Sequence, residues 1–109
     1  MDLKIGIINK MIKKNIIVTG GNKGIGFGLV KELSKDHNVI FTVRSKAKGN
    51  QALENLKSRK ISSRFVLMDL TSSSSVKEGF SKIKDLFESL DGLINNEGIL
   101  IPGLKYNIS

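Results

Sequence analysis

Thr19-Gly20-Gly21-Asn22-Lys23-Gly24-Ile25-Gly26 stands between an apolar run, Ile16-Ile17-Val18, and a helix-like segment over residues 27–36. A buried strand, a glycine turn and a helix start, in that order, form a phosphate cradle. The glycines let the backbone turn sharply and let a ligand come close. The first N–H groups of the helix have no partner inside it and can face an anion. The stretch predicts a nucleotide ligand and the first step of an alternating α/β chain.

Outward from this stretch, short apolar runs alternate with longer periodic segments. Asn15–Thr19 reads as a buried strand rich in β-branched residues. Residues 24–36 read as a helix with Ile25, Leu29, Val30 and Leu33 on its apolar face. Asn38–Val43 is a second strand. Residues 47–57 form a helix with Ala52, Leu53 and Leu56 inward, and residues 64–68 a third strand. A long helix over 72–90 carries Val76, Phe80, Ile83, Leu86, Phe87 and Leu90 at helical spacing. Its serine run reads as an N-terminal cap, with Ser75 and Glu78 spaced as a capping box. Gly92–Asn95 is a fourth strand. Alternation of this kind implies a parallel sheet with right-handed crossovers and helices on both faces. Residues 98–109 show no period and contain the only proline, Pro102, so they read as loop or tail.

At 109 residues the chain makes one small domain. It has no cysteine, which excludes disulfides, thiolate zinc sites and cysteine nucleophiles. Its single histidine, His37, lies in a turn-like Asp-His-Asn and offers no metal site. The net charge of +8 admits two readings. One is a nucleic-acid partner; the other is solvated lysines, a few of which meet cofactor phosphates. The basic residues are scattered, and one Tyr with no Trp gives no base-stacking platform, so the second reading is preferred. No apolar run approaches the ~20 residues of a membrane span. Residues 1–10 fit neither a secretory signal nor a transit peptide, and Met11 looks like a natural start. Residues 1–14 are read as an N-terminal extension, and the cytoplasm as the default location.

The glycine stretch resembles the Thr-Gly-x-x-x-Gly-x-Gly signature of the short-chain dehydrogenase/reductase family, and within it the carbonyl reductases most closely. Three further matches arrive in the family's order: Val43-Arg44 after the second strand, Asp69-Leu70 after the third, and Asn95-Asn96-Glu97-Gly98 after the fourth. The resemblance spans roughly residues 15–99. It implies a three-layer Rossmann-type half domain with a parallel sheet of about four strands, order 3-2-1-4. It implies an NADP(H) site as well. Gly20, Gly24 and Gly26 would allow the turn, the approach of pyrophosphate and close helix–strand packing. Asn22 and Ile25 would add backbone contacts. An acidic residue after the second strand would select NAD, whereas this chain has Arg44, with Lys23 as a second cation. Asp69 would accept from the adenine amino group, with Leu70 flanking the ring; Asp69 equally suits a turn before a helix. Asn95 and Gly98 would border the cofactor ribose, and Asn96 suits a structural or a binding role.

The chain also departs from the family. Glu97 stands where the family has alanine; it would weaken binding if it faced the ligand and change little if it faced solvent. The family's catalytic Ser and Tyr-x-x-x-Lys are absent from these 109 residues, whose only tyrosine is Tyr106. The expectation is therefore a truncated carbonyl reductase-like oxidoreductase that keeps its cofactor-binding part and is inactive alone. The alternative is a non-catalytic NADP(H)-binding or interaction module. In either case the fourth strand would be an open edge, inviting self-association or domain exchange unless Ile99-Leu100-Ile101 covers it.

Overall fold

The computed structural model describes residues 13–96. Seven elements alternate along it: β1 (Asn15–Thr19), α1 (Gly24–Leu33), β2 (Asn38–Val43), α2 (Lys46–Ser58), β3 (Arg64–Leu67), α3 (Ser73–Leu86) and β4 (Gly92–Asn95). The four strands form one parallel sheet in the order β3-β2-β1-β4. Ile17 at the centre of β1 lies beside Ile40 on one side and Leu93 on the other. This is the expected half-Rossmann arrangement.

Side chains alternate across each strand, so each sheet face has its own core. Ile16 and Val18 join Val39, Phe41, Val43, Val30, Ala52 and Leu56 on the face covered by α1 and α2. Ile17, Ile40, Val66 and Leu93 pack with Val76, Ile83 and Phe87 beneath α3. Burial on both faces explains why β1 and β2 are continuous apolar runs instead of alternating ones. The chain reverses direction in the sheet between β1 and β4, which opens a crevice at their carboxyl ends.

Local chemistry moves several predicted boundaries. Helix α1 stops at Leu33, not at residue 36. The N–H groups of Asp36 and His37 both turn back to the Leu33 carbonyl, and the polar run that follows has no apolar face to bury. Helix α2 gains one residue at each end, and β3 ends one residue early. Helix α3 begins at Ser73 and is capped by Ser72, not Ser75. Ser72 is extended, as a cap must be, and its Oγ accepts from Ser75 N–H at 3.2 Å. Ser75 lies in the first turn, and its Oγ accepts from Asp69 N–H at 2.8 Å. Helix α3 also ends early, at Leu86. Phe87 leaves the helix at φ −118° and stays buried, while Leu86 and Leu90 are exposed.

The first turn of α1 corrects another expectation. Ile25 is 79% exposed and belongs to no core, whereas Gly26 and Val30 face the sheet. At the other end of β1, Lys14 is already tied down: its N–H donates to His37 Nδ1 at 3.1 Å and its carbonyl accepts from Asn38 N–H at 2.9 Å. Of the predicted extension, residues 1–12 lie outside the described residues, as do residues 97–109. Among the described residues no helix is long and apolar enough to cross a membrane.

Candidate functional site

The loop between β1 and α1 is fastened to both neighbours of β1. Gly20 N–H donates to Thr42 Oγ1 at 3.3 Å, and Gly21 N–H to the Thr42 carbonyl at 3.2 Å. On the other side Asn96 Nδ2 donates to the Gly20 carbonyl at 3.3 Å. Beneath the loop, Thr19 Oγ1 donates to the fully buried Asn95 Oδ1 at 2.8 Å, locking the carboxyl ends of β1 and β4 together. A buried polar pair of this kind must be satisfied to be tolerated, and this one is.

Gly20 and Gly24 both have positive φ, 65° and 60°. These are conformations that residues with a Cβ rarely adopt. Lys23 caps α1 in extended backbone and offers the helix no side-chain acceptor. The helical ladder opens with Phe27 N–H on the Lys23 carbonyl, so the N–H groups before it have no ladder partner. They sit at a cleft of about 420 Å³. Gly20, Asn22, Lys23, Gly24 and Ile25 line it from the loop, Val43 and Arg44 from the end of β2, and Asn96 from beyond β4. Among the described residues no carboxylate lines it, whereas Lys23 and Arg44 bring two cations.

Six of the predicted site residues therefore meet in one cleft: Gly20, Asn22, Lys23, Gly24, Ile25 and Arg44. Ile25 contributes an exposed apolar side chain, which explains its failure to join the core. Gly26 sits behind the cleft, where a Cβ would run into the Gly20 carbonyl and lie 2.6 Å from Asn96 Nδ2. Asn95 is fully buried against Thr19 and is not among the residues that line the cleft. Leu70 is 7% exposed and packs among the residues beneath α3, and it is not among the residues that line the cleft. Gly98 and Glu97 lie outside the described residues. Val43 is a lining residue that sequence reasoning did not place, and Asn96, for which a structural and a binding role both stood open, lines the cleft as well. Asn96 stood within a recognised motif, and its tie to the Gly20 carbonyl is a contact between residues 76 positions apart.

Asp69 is engaged locally. Its Oδ1 accepts from Thr71 Oγ1 at 2.7 Å and Thr71 N–H at 3.0 Å, the turn role open to it from sequence. Its carboxyl is held below its ordinary value, first by the Thr71 hydroxyl and then by the Thr71 N–H, against an opposing effect of burial, with the Arg44 charge the least of the contributions. A lowered folded pKa means that this stabilisation is complete above the unfolded value of 3.8. It is lost as pH falls through the lower folded value. Thr71→Val removes the leading cause. It should raise the Asp69 titration midpoint, read by carboxyl NMR, and make the turn before α3 open at a higher pH; an unmoved midpoint would refute the assignment.

The short chain dehydrogenase family model matches residues 14–109. NADPH carbonyl reductase 1 of Pongo abelii is 35% identical over 85 residues, covering 76% of this chain and 31% of that protein. Menthone neomenthol reductase from Mentha piperita superimposes with a TM-score of 0.73 at 36% identity, over 80% of this chain and 32% of that one. Salutaridine reductase from Papaver somniferum gives 0.72 at 38% identity, over 80% and 31%. The chain thus spans about a third of the length of these relatives. A parallel sheet reversing at β1 and β4, with a glycine loop tied across that reversal, carries the match in sequence and in space, and the chain belongs to the short-chain dehydrogenase family.

Proposed function

We propose that this chain is the cofactor-binding part of a carbonyl reductase-like oxidoreductase that takes NADP(H). The observation that supports this is the lining of the cleft: an uncapped helix start and two cations, Lys23 and Arg44, at the reversal of the sheet. That donor set suits a phosphorylated dinucleotide. The free N–H groups of α1 would face the pyrophosphate, and Gly24 leaves open space for it, since a Cβ there would meet nothing within 4 Å. Arg44 and Lys23 would hold the 2′-phosphate, Arg44 through its planar fork. Bound NADPH supplies a hydride for a carbonyl; these residues bind and orient it. Titrating the chain with NADPH while following nucleotide fluorescence tests this reading, and no change up to millimolar ligand would sink it.

Carbonyl reduction itself needs an acid and a group that orients the substrate. The 109 residues contain no Tyr-x-x-x-Lys. The purified chain should therefore bind NADPH yet give no turnover with a simple dicarbonyl, and measurable turnover would overturn the claim that its catalytic residues are missing.

A second reading rests on the edge of the sheet. Among the described residues β4 pairs only with β1 and is an outer strand of the sheet. The chain would then act as an interaction module, pairing through β4. Light scattering that shows a clean monomer at high concentration would exclude it.

A further inference from the structure

We propose that Thr42 is a positioning residue for the cofactor: it holds the glycine loop in the pose from which the start of α1 meets the pyrophosphate. The inference rests on the NADP(H) reading of the cleft. Thr42 is fully buried and is not among the residues that line the cleft, so it acts through the loop and not by contact with the ligand.

Three observations carry the assignment. First, a hydroxyl stands where packing asks for none. Thr42 follows the apolar Val39-Ile40-Phe41 and precedes Val43, all buried, and valine has the same shape and suits a strand as well. A buried hydroxyl costs free energy unless it is bonded. Thr19 bonds to Asn95, whereas the Thr42 hydroxyl accepts from the Gly20 N–H at 3.3 Å. Second, the Thr42 carbonyl takes the next N–H of the loop, that of Gly21, at 3.2 Å. One strand residue thus holds two successive amides where Gly20 turns to a φ of 65°. Those two amides are anchors, and the donors that face a ligand come after them, at the start of α1. Third, the loop rests directly on the core at this point. A Cβ on Gly21 would lie 2.5 Å from Phe41 Cβ and 2.8 Å from Val30 Cγ2. The core limits the loop from below and the two bonds to Thr42 keep it from lifting. Thr42 and Arg44, two residues apart, therefore serve different ends of the dinucleotide: Arg44 the 2′-phosphate, Thr42 the pyrophosphate.

The experiment compares Thr42→Val and Thr42→Ser with the parent in the full 109-residue chain. It reads fluorescence titrations of NADPH and NADH, and hydrogen exchange of the Gly20 amide. Thr42→Val should weaken both nucleotides equally, by about fivefold, the worth of one hydrogen bond, and should speed exchange at Gly20. Thr42→Ser keeps the hydroxyl and should restore both affinities and the protection of Gly20, even where the lost methyl lowers the urea midpoint. Thr42→Cys, whose thiol is a weak acceptor, carries the same test if Thr42→Val does not fold. A threonine that only stabilises the sheet would move the urea midpoint and leave both affinities as they were, and that result overturns the inference. So does a loss confined to NADPH, which would place the effect at the 2′-phosphate, or a serine that fails to restore binding. Absence of any nucleotide binding by the parent overturns the cofactor reading and this inference with it, whereas unchanged affinity in Thr42→Val overturns the role of Thr42 alone.

Discussion

Gly26→Ala should cost the fold about 2 kcal/mol, as overpacking of a tight contact does, and should weaken NADPH binding by about tenfold. The backbone of Gly26 is ordinary helix, so the cost is purely steric. A Cβ would press on the Gly20 carbonyl and on Asn96 Nδ2, the two groups whose hydrogen bond ties β4 to the glycine loop. Relief requires the loop to lift away from the sheet, which moves Gly20 and Gly24 together with the cleft. Two neighbours serve as controls on the same helix. Gly28→Ala meets nothing within 4 Å and should stabilise by about 0.8 kcal/mol through helix propensity alone. Gly24→Ala also has open space, but its φ of 60° should cost about 1 kcal/mol. Urea unfolding should rank the proteins Gly28→Ala, parent, Gly24→Ala, Gly26→Ala from most to least stable. Equal stability of the Gly26 and Gly28 variants would remove the contact with Gly20 as the reason for a glycine at position 26.

These three glycines also show what a sequence can and cannot disclose. Their spacing after Ile16-Ile17-Val18 discloses a strand, a turn and a helix, because each choice is local. The same holds for the cations: Arg44 follows directly on β2 and Lys23 closes the loop after β1, and parallel strands bring those ends together. Periodicity fails at the first turn of α1. Ile25 matches the apolar spacing of Val30 and Leu33, yet a residue there overhangs the end of the sheet and meets the cleft. It fails again at Phe87, which keeps the apolar spacing and the burial while its backbone has left the helix. The tie of Asn96 to the Gly20 carbonyl was hidden for another reason: it joins residues far apart in the chain, brought together only by the strand order.

Arg44→Ala should weaken NADPH by about 10- to 100-fold, the worth of a charge-assisted, two-pronged hydrogen bond to a phosphate, while NADH changes by less than about twofold. The asymmetry follows from position. Arg44 follows directly on Val43, the last residue of β2 and itself buried, so its backbone is fixed by the sheet while its side chain is exposed at the cleft. In a dinucleotide laid across the reversal of the sheet, the adenosine ribose falls at the end of β2, and its 2′ substituent is the only difference between the two cofactors. The charge of Arg44 also reaches the Asp69 carboxyl across the end of β3. Removing the arginine should therefore raise the Asp69 titration midpoint slightly in the free protein, a readout independent of any nucleotide. Arg44→Asp goes further. A carboxylate at this position can accept from both ribose hydroxyls and repels a 2′-phosphate, so preference should invert toward NADH. Fluorescence titrations of both nucleotides at one fixed salt concentration measure all three proteins, since phosphate contacts weaken as salt rises. Equal weakening of NADPH and NADH by Arg44→Ala would show that the arginine serves the loop and not the 2′-phosphate, and the case for NADP(H) would then rest on Lys23 alone.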